Sequence, residues 1–194
     1  GGWDVFGPKR KVTKARGNVL YEVDGRPAFD LYKLYLGPEE SQKLPGSALL
    51  FPMRVYDPRH AHHAVVRTVL AVDGKNGSMT FAGDVPEGWT AQLMRGSFGR
   101  LCAGAAEAAQ QALASMSTPP SGDSAAILIS CIGRRLLMGQ RIDEEIEAVT
   151  AELPRGSRPI GFYSYGEISP HGESGRAQLH NQSMTVTLMS EKAA

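Results

Sequence analysis

At 194 residues the chain is long enough to bury a core of its own without disulfide or metal staples. With 42% apolar and 21% charged residues and a formal net charge of +1, its composition argues against a disordered chain and against a basic nucleic-acid surface. Its two cysteines, Cys102 and Cys131, lie in apolar surroundings and fit a cytoplasmic protein with free thiols, and no apolar run reaches the roughly 18 to 20 residues that span a bilayer.

Residues 1–18 read as loop-like, and their abrupt start is expected of a piece cut from a longer polypeptide. In "NVLYEVDGRPAF", Val19, Tyr21 and Val23 alternate with Leu20 and Glu22 before Asp24-Gly25, which predicts a strand and a tight turn. A short helix is predicted over 28–36, ended by Gly37-Pro38, and the polar "GPEESQKLPGS" reads as a linker and domain boundary. Residues 49–56 read as a strand that Pro52 pushes to an edge or bulge. The β-rich runs 65–72 and 78–85 are joined by "DGKNG", a hairpin signal with two glycines.

After "MRGSFGR" the period changes. Cys102, Ala106, Ala109, Leu113 and Met116 recur at helical spacing, so a helix is expected to pack a face of small residues on a sheet. A surface loop over "SMSTPPSGDS" follows, and "AAILISCI" then reads as a strand buried on both faces. "GRRLLMGQR" reads as a loop into a second helix with the stripe Ile142, Ile146, Val149 and Leu153, and Asp143, Glu144 and Glu145 suit the dipole of its first turn. "RPIGFYSYGEI" and "HNQSMTVTLMS" close the chain as strands. The predicted class is α+β (mixed α/β), a largely antiparallel sheet layered with two or three helices.

Three stretches carry candidate site residues. If "GFYSYGEISP" is extended, Phe162 and Ile168 face a core while Tyr163, Tyr165 and Glu167 share the other face, as in the lining of a small-molecule pocket. The plainer alternative has the tyrosines covering a sheet edge and Glu167 paired with a surface cation. "SCIGRR" places Arg134 and Arg135 at a strand's carboxyl end, where clefts form in open sheets and where a guanidinium could take a carboxylate or phosphate. The alternative has one of them as a solvated surface charge and the other neutralising Glu167 or Glu173. "HNQSMT" sets His180 and Asn181 before the last strand, as pocket donors and acceptors or as turn caps.

His60 and His62 of "RHAHH" could share a strand face, but no third ligand stands at a defined spacing and a solvated loop is the better reading. Cys131 with His180 could form a nucleophile and base for acyl transfer or hydrolysis, against the simpler reading of an inert buried thiol. The strong nucleotide-binding, hydrolase and metalloprotease signatures are absent from the sequence.

"SCIGRR", "GFYSYGEISP" and "LHNQSMTVTL", in this order and separated by an acidic helix, resemble the FIST family of sensory modules in bacterial signalling proteins. Residues 38–194 look like its C-terminal domain, and residues 1–37 look like the tail of its N-terminal domain with the junction. The resemblance implies an intracellular domain that binds a small ligand, an amino acid or a similar polar metabolite, and it implies no reaction. Haem binding, with gas sensing through a histidine, is the alternative that it offers. It further implies a missing N-terminal domain and a signalling partner such as a kinase or chemoreceptor, with no nucleic acid or membrane involved. The residues expected to meet ligand are Arg134, Tyr163, Tyr165, Glu167, His180 and Asn181.

Overall fold

Residues 1–118, 120, 123–170 and 177–190 are described in the computed structural model of the chain. In chain order the strands and helices are β1 (Trp3–Arg16), β2 (Val19–Val23), β3 (Arg26–Pro27), α1 (Ala28–Gln42), β4 (Met53–Tyr56), β5 (Val65–Arg67), β6 (Val69–Asp73), β7 (Ser78–Phe81) and β8 (Thr90–Gly96). They continue as α2 (Phe98–Ala114), β9 (Ser124–Cys131), α3 (Ile132–Met138), α4 (Ile142–Glu152), β10 (Ser157–Ser164), β11 (Glu167–Pro170), β12 (Ala177–His180) and β13 (Met184–Ser190). This is the α+β class expected from the sequence, with pairings that are largely antiparallel. The chain divides into two compact units, one of Gly1–Trp3, Gly96–Glu167 and Gln182–Ala194, the other of Asp4–Arg95 and Ile168–Asn181.

The unit built on Asp4–Arg95 holds an eight-stranded sheet in the order β5-β4-β8-β1-β2-β7-β6, with β3 beside β2. Its hairpin β6–β7 forms where "DGKNG" predicts it. Val12, Leu20, Val23, Val55, Met79, Phe81 and Val85 make its core, against which α1 lays Ala28 and Tyr32. The Tyr32 hydroxyl donates to the Phe51 carbonyl, which satisfies its polar tip inside the core. Beyond the hairpin, β11 and β12 form a separate two-stranded sheet.

In the other unit β9 is the middle of a three-stranded sheet, parallel to β10 and antiparallel to β13. Helices α2 and α4 cover one face with Ala105, Ala109 and Val149 against Ala126, Leu128 and Met184. Ser97 caps α2, its Oγ accepting from the Arg100 amide at 3.4 Å.

Several expectations are corrected. Residues 3–16 form a long strand, not a loop; among its polar side chains only Val12 and Trp3 are buried, so the apolar alternation that betrays a strand is missing. α1 runs on past Gly37, which takes φ 77 to make a kink that Pro38 then follows, so half of the expected linker is helical. The run 65–72 breaks into β5 and β6, and β8 forms where no strand was expected. α2 buries Leu101, Gly104, Ala105 and Ala109, so Ala109 of the predicted stripe is buried while Leu101 and Ala105 stand where Cys102 and Ala106 were expected. "GRRLLM" is helical, not a loop. β9 alternates buried and half-buried residues, so one of its two faces is not covered. The loop expected over 115–124 falls partly outside the described residues, and Glu173 lies outside them.

Candidate functional site

Where β9 ends, the chain must turn directly into α3, and Gly133 lies at that turn because a Cβ there would come within 2.8 to 3.0 Å of the Gln182 side-chain amide. Gln182 is fully buried and holds φ 59, a left-handed conformation that a non-glycine residue adopts only when its surroundings fix it. Its carbonyl accepts from Trp3 Nε1 at 2.9 Å and from Arg134 Nη1 at 3.3 Å, two donors that secure the backbone of that turn.

Arg134 is fully buried. Its Nε donates to Glu145 Oε1 at 2.6 Å, its Nη2 to the Leu101 carbonyl at 2.8 Å and its Nη1 also to the Gly1 carbonyl at 2.9 Å. Glu145, likewise buried, accepts a further bond from Ser130 Oγ at 3.0 Å. The guanidinium is thus committed to its own chain, and its counter-charge is Glu145. From the sequence Glu145 reads only as one of three acidic residues that suit the dipole of the first turn. The signal to find it was present: Glu145 falls three residues after Ile142 and four before Val149, on the apolar stripe itself.

Glu167 sits across the same sheet end and is 2% exposed. Its Oε1 accepts from Ser164 Oγ at 2.6 Å, and its Oε2 from Ser183 Oγ at 2.7 Å and the Ser183 amide at 3.3 Å. The Cys131 thiol lies near enough to the same carboxylate for the two to influence each other's ionisation. The serine donors come from the end of β10 and from the residue before β13, and the Cys131 amide at the end of β9 donates to the Ser183 carbonyl at 2.9 Å, so the carboxylate ties β10 to the turn that β9 also holds. Burial pushes its pKa above the ordinary range, and the hydrogen bonds from Ser164 and Ser183, with the nearby Cys131 thiol, offset that only in part. Burial likewise pushes the Cys131 thiol up, with the Glu167 charge adding to it, which is the opposite of an activated nucleophile. Ser164, Ser183 and Gln182 were not singled out from the sequence; a serine at a strand end carries no periodic signal.

The alternation expected through 161–168 is interrupted. β10 stops at Ser164 and β11 starts at Glu167, with a bend at Tyr165. Phe162 and Ile168, expected in a core, are 60% and 74% exposed, and Tyr165 is 87% exposed. Tyr163 is half-buried with the Arg135 guanidinium 5.0 Å from its ring centroid, a cation–π contact. His180 and Asn181 belong to the other unit and are buried at the end of β12. Asn181 Nδ2 donates to the His180 carbonyl at 3.2 Å, and its Oδ1 accepts from the Thr68 amide at 3.4 Å.

The "RHAHH" histidines lie in a short 3-10 turn, not a strand, with the His62 and His63 ring centroids 4.1 Å apart. Among the described residues no group of three or more His, Cys, Asp and Glu side chains is arranged to hold a metal ion. Among the described residues the Asp4–Arg95 unit has a cavity of about 260 Å³ lined by Lys11, Val12, Thr13, Glu87 and Gly88, and another of about 20 Å³ among Phe6, Leu31, Tyr35 and neighbours. Neither is lined by Glu167.

An α+β chain with a polar cluster buried at a strand end is the class that this geometry defines. The FIST C domain family matches it over residues 28–170, and the chain belongs to that family. It is therefore a sensory domain of signal transduction. No curated protein and no solved structure matches the chain. Among the described residues no helix is long and apolar enough to cross a membrane.

Proposed function

We propose that this sensory domain recognises a small polar metabolite bearing an amine, of the amino-acid kind, through Glu167. The observation that carries the reading is a buried carboxylate whose hydrogen-bond partners among the described residues, Ser164 and Ser183, are neutral. A carboxylate removed from water needs either a proton or a cation, and an ammonium group of the ligand is the cation that fits. To reach Glu167 the ligand must take the place of the serine hydroxyls. That exchange loosens the tie between β10 and the turn before β13, so occupancy becomes a change at the sheet end. A ligand can shift such an equilibrium only by its differential affinity for the two states, and contact with Glu167 in the opened one supplies it.

The other expected residues take supporting parts in this reading. Arg134 holds the Gln182 carbonyl and with it the course of the chain into Ser183. Asn181 and His180 lead into the same turn, Tyr163 braces α3 through Arg135, and the exposed Tyr165 is read as the side chain that closes over a bound ligand. The domain is read as working in the cytoplasm of a bacterium, beside an N-terminal FIST-like domain whose tail is residues 1–37, and passing its state to a kinase or chemoreceptor.

Calorimetric titration of the chain with a panel of amino acids and short polyamines tests the reading. Saturable heat is expected from at least one amine, with affinity reduced tenfold or more by Glu167→Gln and unchanged by Glu144→Gln, a surface carboxylate paired with Arg141. Silence across the panel, or equal binding by Glu167→Gln, would contradict it.

A further inference from the structure

The sheet of β10, β9 and β13 has one face against α2 and α4 and a second face without such cover. In the observed register, Ile127 and Ile129 of β9 stand beside Ile160 and Phe162 of β10 on one side and beside Thr187 and Thr185 of β13 on the other. Alternation puts all of these, with Met189, on the face opposite the helix-covered Ala126 and Leu128. Ile160 is 70% exposed, Phe162 60% and Met189 49%, and Ile127 and Ile129 remain half-open in the middle strand. Contiguous apolar surface of this kind marks an interaction site, whereas single exposed hydrophobic residues do not.

We propose that two copies of this chain associate through this face, sheet on sheet, about a two-fold axis. A two-fold contact sets a patch against itself, so a charge near its centre would meet its like. Among the described residues this face meets the requirement: its charges, Arg158 and Asp123, lie at the rim, 82% and 81% exposed at the side chain and 3.6 Å apart. Isoleucine and threonine side chains standing off a pleated surface interdigitate with a second sheet at about 10 Å, as in a sandwich.

Size sets the strength. Three strands about 4.8 Å apart and eight residues long at about 3.3 Å each make a face of roughly 14 by 26 Å. With side-chain relief, a pair of such faces buries on the order of 1,000 Å², the lower bound of a specific interface and well under the roughly 1,600 Å² of a standard one. The dimer is therefore of the transient kind. This inference is independent of the ligand reading and stands or falls without it.

Sedimentation velocity of the 194-residue chain from low micromolar to several hundred micromolar tests it. The weight-average mass should rise from 20.9 kDa toward twice that value and level off there. Phe162→Asp and Ile160→Asp, both at exposed positions that accept a charge without unfolding, should each weaken association tenfold or more, with native circular dichroism as control. Leu136→Asp, 63% exposed on α3, should leave it unchanged. A constant 20.9 kDa, growth past the dimer, or association indifferent to Phe162→Asp and Ile160→Asp would overturn the proposal.

Discussion

At Glu167 two effects oppose each other: burial disfavours the charged form, while hydroxyl and amide donors favour it. Burial prevails, so the pKa in the folded chain lies above that of the unfolded chain. The stability linked to this group is therefore complete below the ordinary carboxylate range and is lost as pH rises through the raised value. Urea midpoints measured from about pH 4 to pH 8 should fall with rising pH in the native protein relative to Glu167→Gln, which cannot ionise. Parallel profiles for the two would refute the assignment. Arg134 and Glu145 present the contrasting case of a buried charge fully paired. Removing one partner strands the other, so Arg134→Met should cost about 3–5 kcal/mol by chemical denaturation, much of it recovered in Arg134→Met with Glu145→Leu. A loss under about 1 kcal/mol would mean that Glu145 finds water or a proton at no cost.

Among the elements, β10 shows how a single glycine sets a pairing. A Cβ at Gly161 would come within 2.0 Å of the Leu128 carbonyl, so β10 can lie against β9 only if that side chain is absent. Gly161→Ala should destabilise the domain by about 1–3 kcal/mol, read as a lowered urea midpoint, and should loosen amide protection along β10 before β13. An unchanged midpoint would show that the strand has room to shift. Elements with a strong period were legible in the sequence: β2, the β6–β7 hairpin, α2, β9, α4 and β13 all stand where apolar spacing or turn residues put them. β1 and β8 were not legible, because a strand paired on both edges can carry polar side chains wherever one of its faces meets solvent. β9 was read as buried on both faces from its unbroken apolar run, yet periodicity cannot report whether a second layer covers Ile127 and Ile129. Of the site, Glu167 and Arg134 were legible as residues and their partners were not. Glu145 is eleven residues from Arg134 and Ser183 sixteen from Glu167, and only the strand-end crossing brings them together.

For the molecule as a whole, a sensor needs a site whose occupancy changes something beyond itself. The Glu167 cluster has that property, since Ser164 and Ser183, which satisfy the carboxylate, stand at the end of β10 and before β13, and the end of β9 is fastened to Ser183 through its backbone. Arg134 and Glu145 hold the neighbouring turn fixed, so a change at Glu167 is referred to a rigid base. Titration of the Glu167 side-chain carboxyl by carbon-13 NMR, with and without the amine that binds best, tests the central claim most directly. The account predicts a midpoint above the ordinary carboxylate range in the free protein that falls when the amine is bound, because an ammonium replaces the proton. A midpoint that a saturating amine leaves where it was would contradict it.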